Sequence, residues 1–108
     1  MRPEISAHKY GAKLWRNNSG ALLDTRGVPV RFGLGNVSAR LNAVYKSSDY
    51  IGITREGMFV ACEMKPPGWR YTGNAHERAQ LAFINDVIAH GGRGGFVTCE
   101  DDLIKLLI

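Results

Sequence analysis

Four residues carry the chemistry this sequence offers: Asp49, Glu63, Lys65 and Gln80. Glu63 and Lys65 stand two apart in the run VACEMK, whose first part reads as a buried strand. Side chains alternate along a strand, so this spacing sends a carboxylate and an ammonium to the same face. Alone, they would be an ordinary ion pair at a strand end. A second carboxylate changes that reading. Two strand-like runs, Tyr50 to Thr54 and Met58 to Lys65, flank Arg55, Glu56 and Gly57. If those three residues form the turn, Asp49 lies directly opposite Glu63, with Cβ atoms roughly 5 Å apart. A two-residue turn would put Asp49 on the other face.

Facing carboxylates repel unless something positive lies between them. Hard oxygen ligands suit Mg2+, which keeps several waters and binds substrate phosphate. The chemistry that uses this set is phosphodiester hydrolysis. Asp49, Glu63 and the Met64 backbone carbonyl would hold Mg2+, for which Mn2+ would substitute, and the cation would polarise the phosphate and acidify a bound water. Lys65 would orient that water or stabilise charge in the transition state, and Gln80 would hold Lys65 or the water. His8, His76 and His90 show no metal-ligand spacing; His76, near the start of the helix that carries Gln80, is a candidate general base.

The elements that must position these groups follow from periodicity. A helix is predicted from Pro3 to about Tyr10, stopped by Gly11, then a strand over residues 12–16 and a turn at NNSG. Residues 21–34 read as a hairpin broken at Thr25 to Gly27. A long loop spans residues 33–48, with a helical turn or two inside residues 38–45, and connections of that length are more often functional or partner-binding. The central hairpin comes next. Its faces, Ile51, Ile53, Phe59 and Ala61 on one side and Val60, Cys62 and Met64 on the other, predict a sheet covered by helices on both sides. PPGWRYTGN is a loop. Residues 75–89 form an amphipathic helix with Gln80, Phe83, Ile84, Val87 and Ile88 on one side. Gly91 and Gly92 end it, a core strand covers residues 96–99, and a short helix with an acidic start covers 100–107.

The 108 residues are expected to form one domain, with 44% hydrophobic and 22% charged residues in the range of ordinary globular proteins. No apolar run approaches the roughly 18 residues that span a bilayer, and the opening MRPEISAHKYG lacks the apolar stretch of a signal peptide, so no membrane partner and a cytoplasmic location are expected. Cys62 and Cys99 sit in apolar strand-like runs and read as buried reduced thiols. The net charge of +4 is uneven: residues 1–48 hold eight Lys or Arg against Glu4 and Asp24, and residues 49–108 hold six against eight acids. Nine of the fourteen basic residues are Arg, suited to bidentate phosphate contacts. A polyanion grip beside a metal site is the reading. Arg16, Asn17 and Asn18 in a polar turn, Lys46 in the long loop, and Trp69 with Arg70 after the catalytic strand are the candidate nucleic-acid contacts, by phosphate binding or stacking.

Asp49, then Glu63-x-Lys65, then Gln80 in the following helix resembles the PD-(D/E)XK nucleases. The surrounding text, LWRNNSGALLD, VRFGLGN, SSDYIGI, EMK, AQLAFINDVIAHGGRGGF and EDDL, is similar to their VRR-NUC branch, in particular its short stand-alone viral and bacterial members. The resemblance covers most of the chain, and Ser48 stands where the motif's name has proline. It implies a restriction-endonuclease-like α/β core, a mixed sheet flanked by helices, in a bacterial or phage-infected cell. It also implies a Mg2+-dependent, structure-selective endonuclease, acting as a homodimer on branched DNA such as Holliday junctions, with no nucleotide cofactor. Similar proteins carry a first-helix glutamate near the metal, which here could only be Glu4. Two other readings share the fold: a nuclease-like domain that grips DNA or a partner without cutting, and a nuclease directed at RNA.

Overall fold

The computed structural model describes residues 1–108. Its elements run α1 (Pro3–His8), β1 (Lys13–Arg16), β2 (Gly20–Leu23), β3 (Pro29–Phe32), α2 (Ala39–Asn42), β4 (Tyr50–Ile53), β5 (Phe59–Met64), α3 (Ala75–Ala89), β6 (Arg93–Val97) and α4 (Glu100–Leu107). Strands β1, β4, β5 and β6 form one mixed sheet in that order, antiparallel except for the parallel pair β5 and β6. Parallel neighbours need a crossover, and α3 supplies it. The fold is thus a compact mixed α/β unit, its four-stranded sheet flanked by helices as expected.

Register follows from the turn. Thr54 and Met58 close a loop of three residues, Thr54 N donating to Met58 O at 2.9 Å and Gly57 N to Thr54 O at 2.9 Å. Gly57 takes a φ of 88°, the left-handed conformation that three-residue hairpin loops place at their last position and that glycine adopts without strain. Ile53 therefore pairs with Phe59 and Tyr50 with Cys62. The next step out sets Asp49 against Glu63.

The two faces bury different partners. Val60, Cys62, Tyr50, Leu14 and Val97 pack under α1 and α4 with Ala7, Leu103 and Leu107, whereas Ala61 meets Phe83 and Ile84 of α3. Each fully buried aliphatic side chain contributes roughly 1.5–3 kcal/mol. Helix α3 begins where Asn74 caps it, its side chain accepting from Glu77 N at 2.8 Å. It lies close on β6: a Cβ at Gly94 would stand 3.0 Å from Ile84 Cγ2, and one at Gly92 2.6 Å from Val87 Cγ1.

That packing corrects the expected position of the last strand. Gly91, with a φ of 90°, ends α3 as expected, but Gly92 and Gly94 also let the helix lie close on the strand, so β6 is Arg93–Val97 rather than residues 96–99. Cys99 consequently falls outside the strand, at the N-cap of α4, and is exposed rather than buried; Cys62 is buried as expected. Burial first, then the charges of Glu63 and Asp49, push the Cys62 thiol up to about 12.

Strands β2 and β3 form a separate two-stranded sheet. Asp24 organises its turn, accepting from Arg26 N at 2.8 Å and Val28 N at 2.9 Å. No hairpin residue enters either apolar core cluster, and Leu22 is 68% and Val30 51% exposed. No helix is long and apolar enough to cross a membrane.

Candidate active site

At the end of the β4–β5 hairpin the two carboxylates meet. Glu63 is 3% exposed and Asp49 lies beside it at the surface. Asp49 Oδ2 accepts from the Met64 backbone N–H at 3.2 Å, which ties the first carboxylate to the strand that carries the second. Asn17 fixes the segment leading into Asp49: its Nδ2 donates to the Ser47 hydroxyl and the Ser48 carbonyl, each at 2.9 Å, and its backbone N–H donates to Asp49 O at 2.7 Å. Ser48 is buried and its hydroxyl donates to Tyr50 O at 2.8 Å. This explains why small polar residues precede the acid.

Glu63 has no basic partner within ion-pair distance; the expected alternative, a Glu63–Lys65 bridge, does not form. Burial is the largest cause pushing the Glu63 carboxyl up, to about 9, and its hydrogen bond to Asp49 and the charge of Asp49 add to it, while Lys65 opposes. Without a cation, burial beside Asp49 thus favours a proton on Glu63, and a divalent ion between the two would take that proton's place. No third His, Cys, Asp or Glu joins them. Two carboxylates with the Met64 carbonyl could hold a hard cation such as Mg2+, which ordinarily keeps several waters and binds substrate phosphate.

Lys65 follows directly on β5, its backbone N–H donating to Val97 O at 2.9 Å. Its ammonium donates to Gln80 Oε1 at 2.8 Å and sits 5.3 Å from the Trp69 ring and 5.7 Å from the Phe96 ring. The loop that supplies Trp69 is pinned by the buried Glu77, which accepts from Trp69 Nε1 at 3.0 Å, Thr72 N at 2.8 Å and Gly73 N at 3.0 Å. Those bonds, the one from Thr72 N foremost, hold the Glu77 carboxyl below its usual range. Trp69 packs on Phe96 with ring centroids 4.8 Å apart, so its face is occupied by protein.

A polar cleft of about 330 Å³ is lined by Asp49, Glu63, His76 and Gln80 together with Arg31, Asn42 and Lys46. Arg31 is held by Asn36, donating through Nε to the Asn36 carbonyl at 3.3 Å and through Nη2 to its Oδ1 at 2.5 Å. Asn36 is itself buried, its Nδ2 donating to Gly20 O at 2.8 Å and Phe32 O at 2.9 Å. Lys46 donates to Asn42 Oδ1 at 2.7 Å. A larger groove of about 530 Å³ lies at the far end of α3, where the polar groups Tyr45, Asp86 and His90 bond to one another. The two carboxylates line the smaller cleft.

Compared with protein-family models, curated proteins and solved structures, the chain matches none.

The structure brings together Asp49, Glu63 and Met64, and Lys65 with Gln80, and Lys46 lines the same cleft as Asp49, Glu63 and Gln80. Other predicted residues lie apart. Glu4 pairs with Arg2 at 3.5 Å and does not line the cleft. Arg16 donates to Asn18 Oδ1 at 3.2 Å, stands 6.0 Å from the Tyr50 ring, and is exposed at the end of β1. Arg70 is exposed on the loop after β5. Arg31 is the cleft residue that sequence reasoning missed, since only the fold of the hairpin and the buried Asn36 bring it to the lining that holds the carboxylates.

Proposed function

We propose that this chain is a metal-dependent endonuclease of the PD-(D/E)XK type, nearest to the VRR-NUC branch, that hydrolyses phosphodiester bonds in branched DNA. The observation that carries the reading is the buried Glu63 beside Asp49 at a sheet end, with the Lys65 ammonium held next to them by Gln80. When bound, Mg2+ supplies a Lewis acid that polarises the phosphate and lowers the pKa of a water. Asp49 and Glu63 would hold that ion, with the Met64 carbonyl. Lys65 presents its charge to the phosphate oxygens as the water oxygen bonds to phosphorus and the bond to the leaving sugar oxygen breaks. Arg31 and Lys46, across the cleft, bind phosphates without reading bases, which suits selection by the shape of the substrate.

A second copy completes the unit. One Asp49, Glu63 and Lys65 set attacks one strand, whereas a twofold pair supplies two to a junction that has approximate twofold symmetry. The exposed apolar side chains of Leu22, Val30, Phe32 and Leu34, on and beside the hairpin, support burial against a second chain. The test is purified protein with Mg2+, Mn2+ or EDTA, offered a labelled four-way junction, a flap, linear duplex and RNA. Metal-dependent cutting of the junction in preference to duplex is the expected result. Binding without cutting, or cutting of RNA alone, replaces this reading with a non-cleaving module or an RNA nuclease.

A further inference from the structure

We propose that His76 is a positioning residue that fixes the Lys65 ammonium by setting which way the Gln80 amide faces, an inference that rests on the nuclease reading above. The hydrogen-bond polarity dictates it. An ammonium only donates, so the Gln80 atom 2.8 Å from Lys65 Nζ is the amide oxygen. The amide nitrogen, which also only donates, then faces His76 Nε2 at 3.1 Å. Nε2 must therefore carry the lone pair, and the proton of the neutral ring belongs on Nδ1. The opposite amide orientation would set an NH2 group against the ammonium, two donors with no acceptor between them.

His76 and Gln80 are four apart on α3, the spacing at which helical side chains meet. Gln80 is 7% exposed, so little water can act as an alternative acceptor for its NH2 group. The Lys65 ammonium also stands 5.3 and 5.7 Å from the centroids of the Trp69 and Phe96 rings. A ring attracts a cation over a broad area and leaves it free to slide. The directional constraint on Lys65 is the Gln80 oxygen, and the constraint on that oxygen is His76. Each bond in the chain from His76 through Gln80 to Lys65 also polarises the next. His76 lines the cleft but need take no proton from water for this role.

Two measurements test it. Nitrogen-15 NMR of histidine-labelled, metal-free protein at pH 8 should report His76 as the Nδ1–H tautomer, and the Gln80→Leu variant should lose that preference; an Nε2–H tautomer in the wild type overturns the proposal. On a four-way junction with Mg2+, His76→Leu should lower kcat by about tenfold, the value of one directed hydrogen bond, with KM unchanged. His76→Gln, whose amide oxygen reaches the same position, should restore most of the rate. A His76→Leu enzyme with wild-type kcat, on a substrate that Lys65→Ala cannot cut, overturns the positioning role while leaving the nuclease reading intact. A wild-type protein that cuts no nucleic acid overturns the nuclease reading and the catalytic part of this proposal together, and the tautomer then decides the hydrogen-bond chain by itself.

Discussion

Replacing Glu63 by glutamine should stabilise the metal-free protein and destroy its response to Mg2+. In the fold, burial and then Asp49 push the Glu63 carboxyl up to about 9, from 4.5 for the free group. Its pKa is raised on folding, so the contribution of Glu63 to stability is complete below about 4.5 and is lost as pH rises through 9. At pH 7 the folded protein retains a proton that the unfolded chain releases. The cost is the 2.5 or so pH units between the free value and neutrality at 1.36 kcal/mol each, about 3 kcal/mol. Glutamine keeps the shape and a donor toward Asp49 but cannot ionise, so this cost disappears. For a domain of this size a gain of about 3 kcal/mol raises the melting temperature on the order of 10–20 °C. The assay is thermal unfolding from pH 5 to 9 in EDTA and again in Mg2+. Wild type should lose stability steadily as pH rises in EDTA and recover it with Mg2+, by about 2.7 kcal/mol when the ion is at a hundred times its dissociation constant. Glu63→Gln should be flat in pH and nearly indifferent to the metal. If variant and wild type melt together at pH 8 in EDTA, the carboxylate pair is not under the stress described and the metal argument fails with it.

Asp49→Ala and Lys65→Ala should each abolish cleavage of a four-way junction, the first with loss of Mg2+ binding and the second without it, as isothermal titration calorimetry will separate. Junction affinity should persist in Asp49→Ala because a negative charge near phosphate has been removed. Arg31→Ala and Lys46→Ala should each lower the slope of log affinity against log salt by roughly one, and a flat salt response in wild type would point to a protein partner instead. Leu22→Glu with Val30→Glu should convert a dimer in light scattering to monomers and turn paired cuts into single nicks, while a wild-type monomer that still made paired cuts at nanomolar concentration would sink the dimer.

What the sequence made legible were the parts whose periodicity is local. The three-residue turn at Gly57 settled the register of β4 and β5 and with it the facing of Asp49 and Glu63, and α3 runs over Ala75–Ala89 as its spacing predicts. Local signals failed where tertiary packing overrides them. Glycine in RGGFV reads as a breaker, yet β6 uses it to admit α3, and the same shift left Cys99 exposed at a helix cap. Trp69 beside Arg70 reads as a stacking platform, and what the sequence does not show is that the neighbouring helix supplies Glu77 to hold its indole N–H and β6 supplies Phe96 against the ring. Arg31 gave no signal because its importance lies in Asn36, a residue five positions on whose burial only the folded hairpin creates. The HERAQ spacing was open to reading, since His and Gln four apart on a helix must touch.

The hairpin of β2 and β3 stands on foundations of its own, with its own ladder and no side chain in either apolar cluster. On the nuclease reading proposed above, bond breaking and substrate grip would thereby be lodged in separately supported parts of a short chain. Substitutions among residues 20–32 alter the charge and reach of the wall that carries Arg31 without drawing on the packing that aligns Asp49, Glu63 and Lys65. Preference for one nucleic-acid shape over another is then free to drift across generations while the cutting end stays fixed.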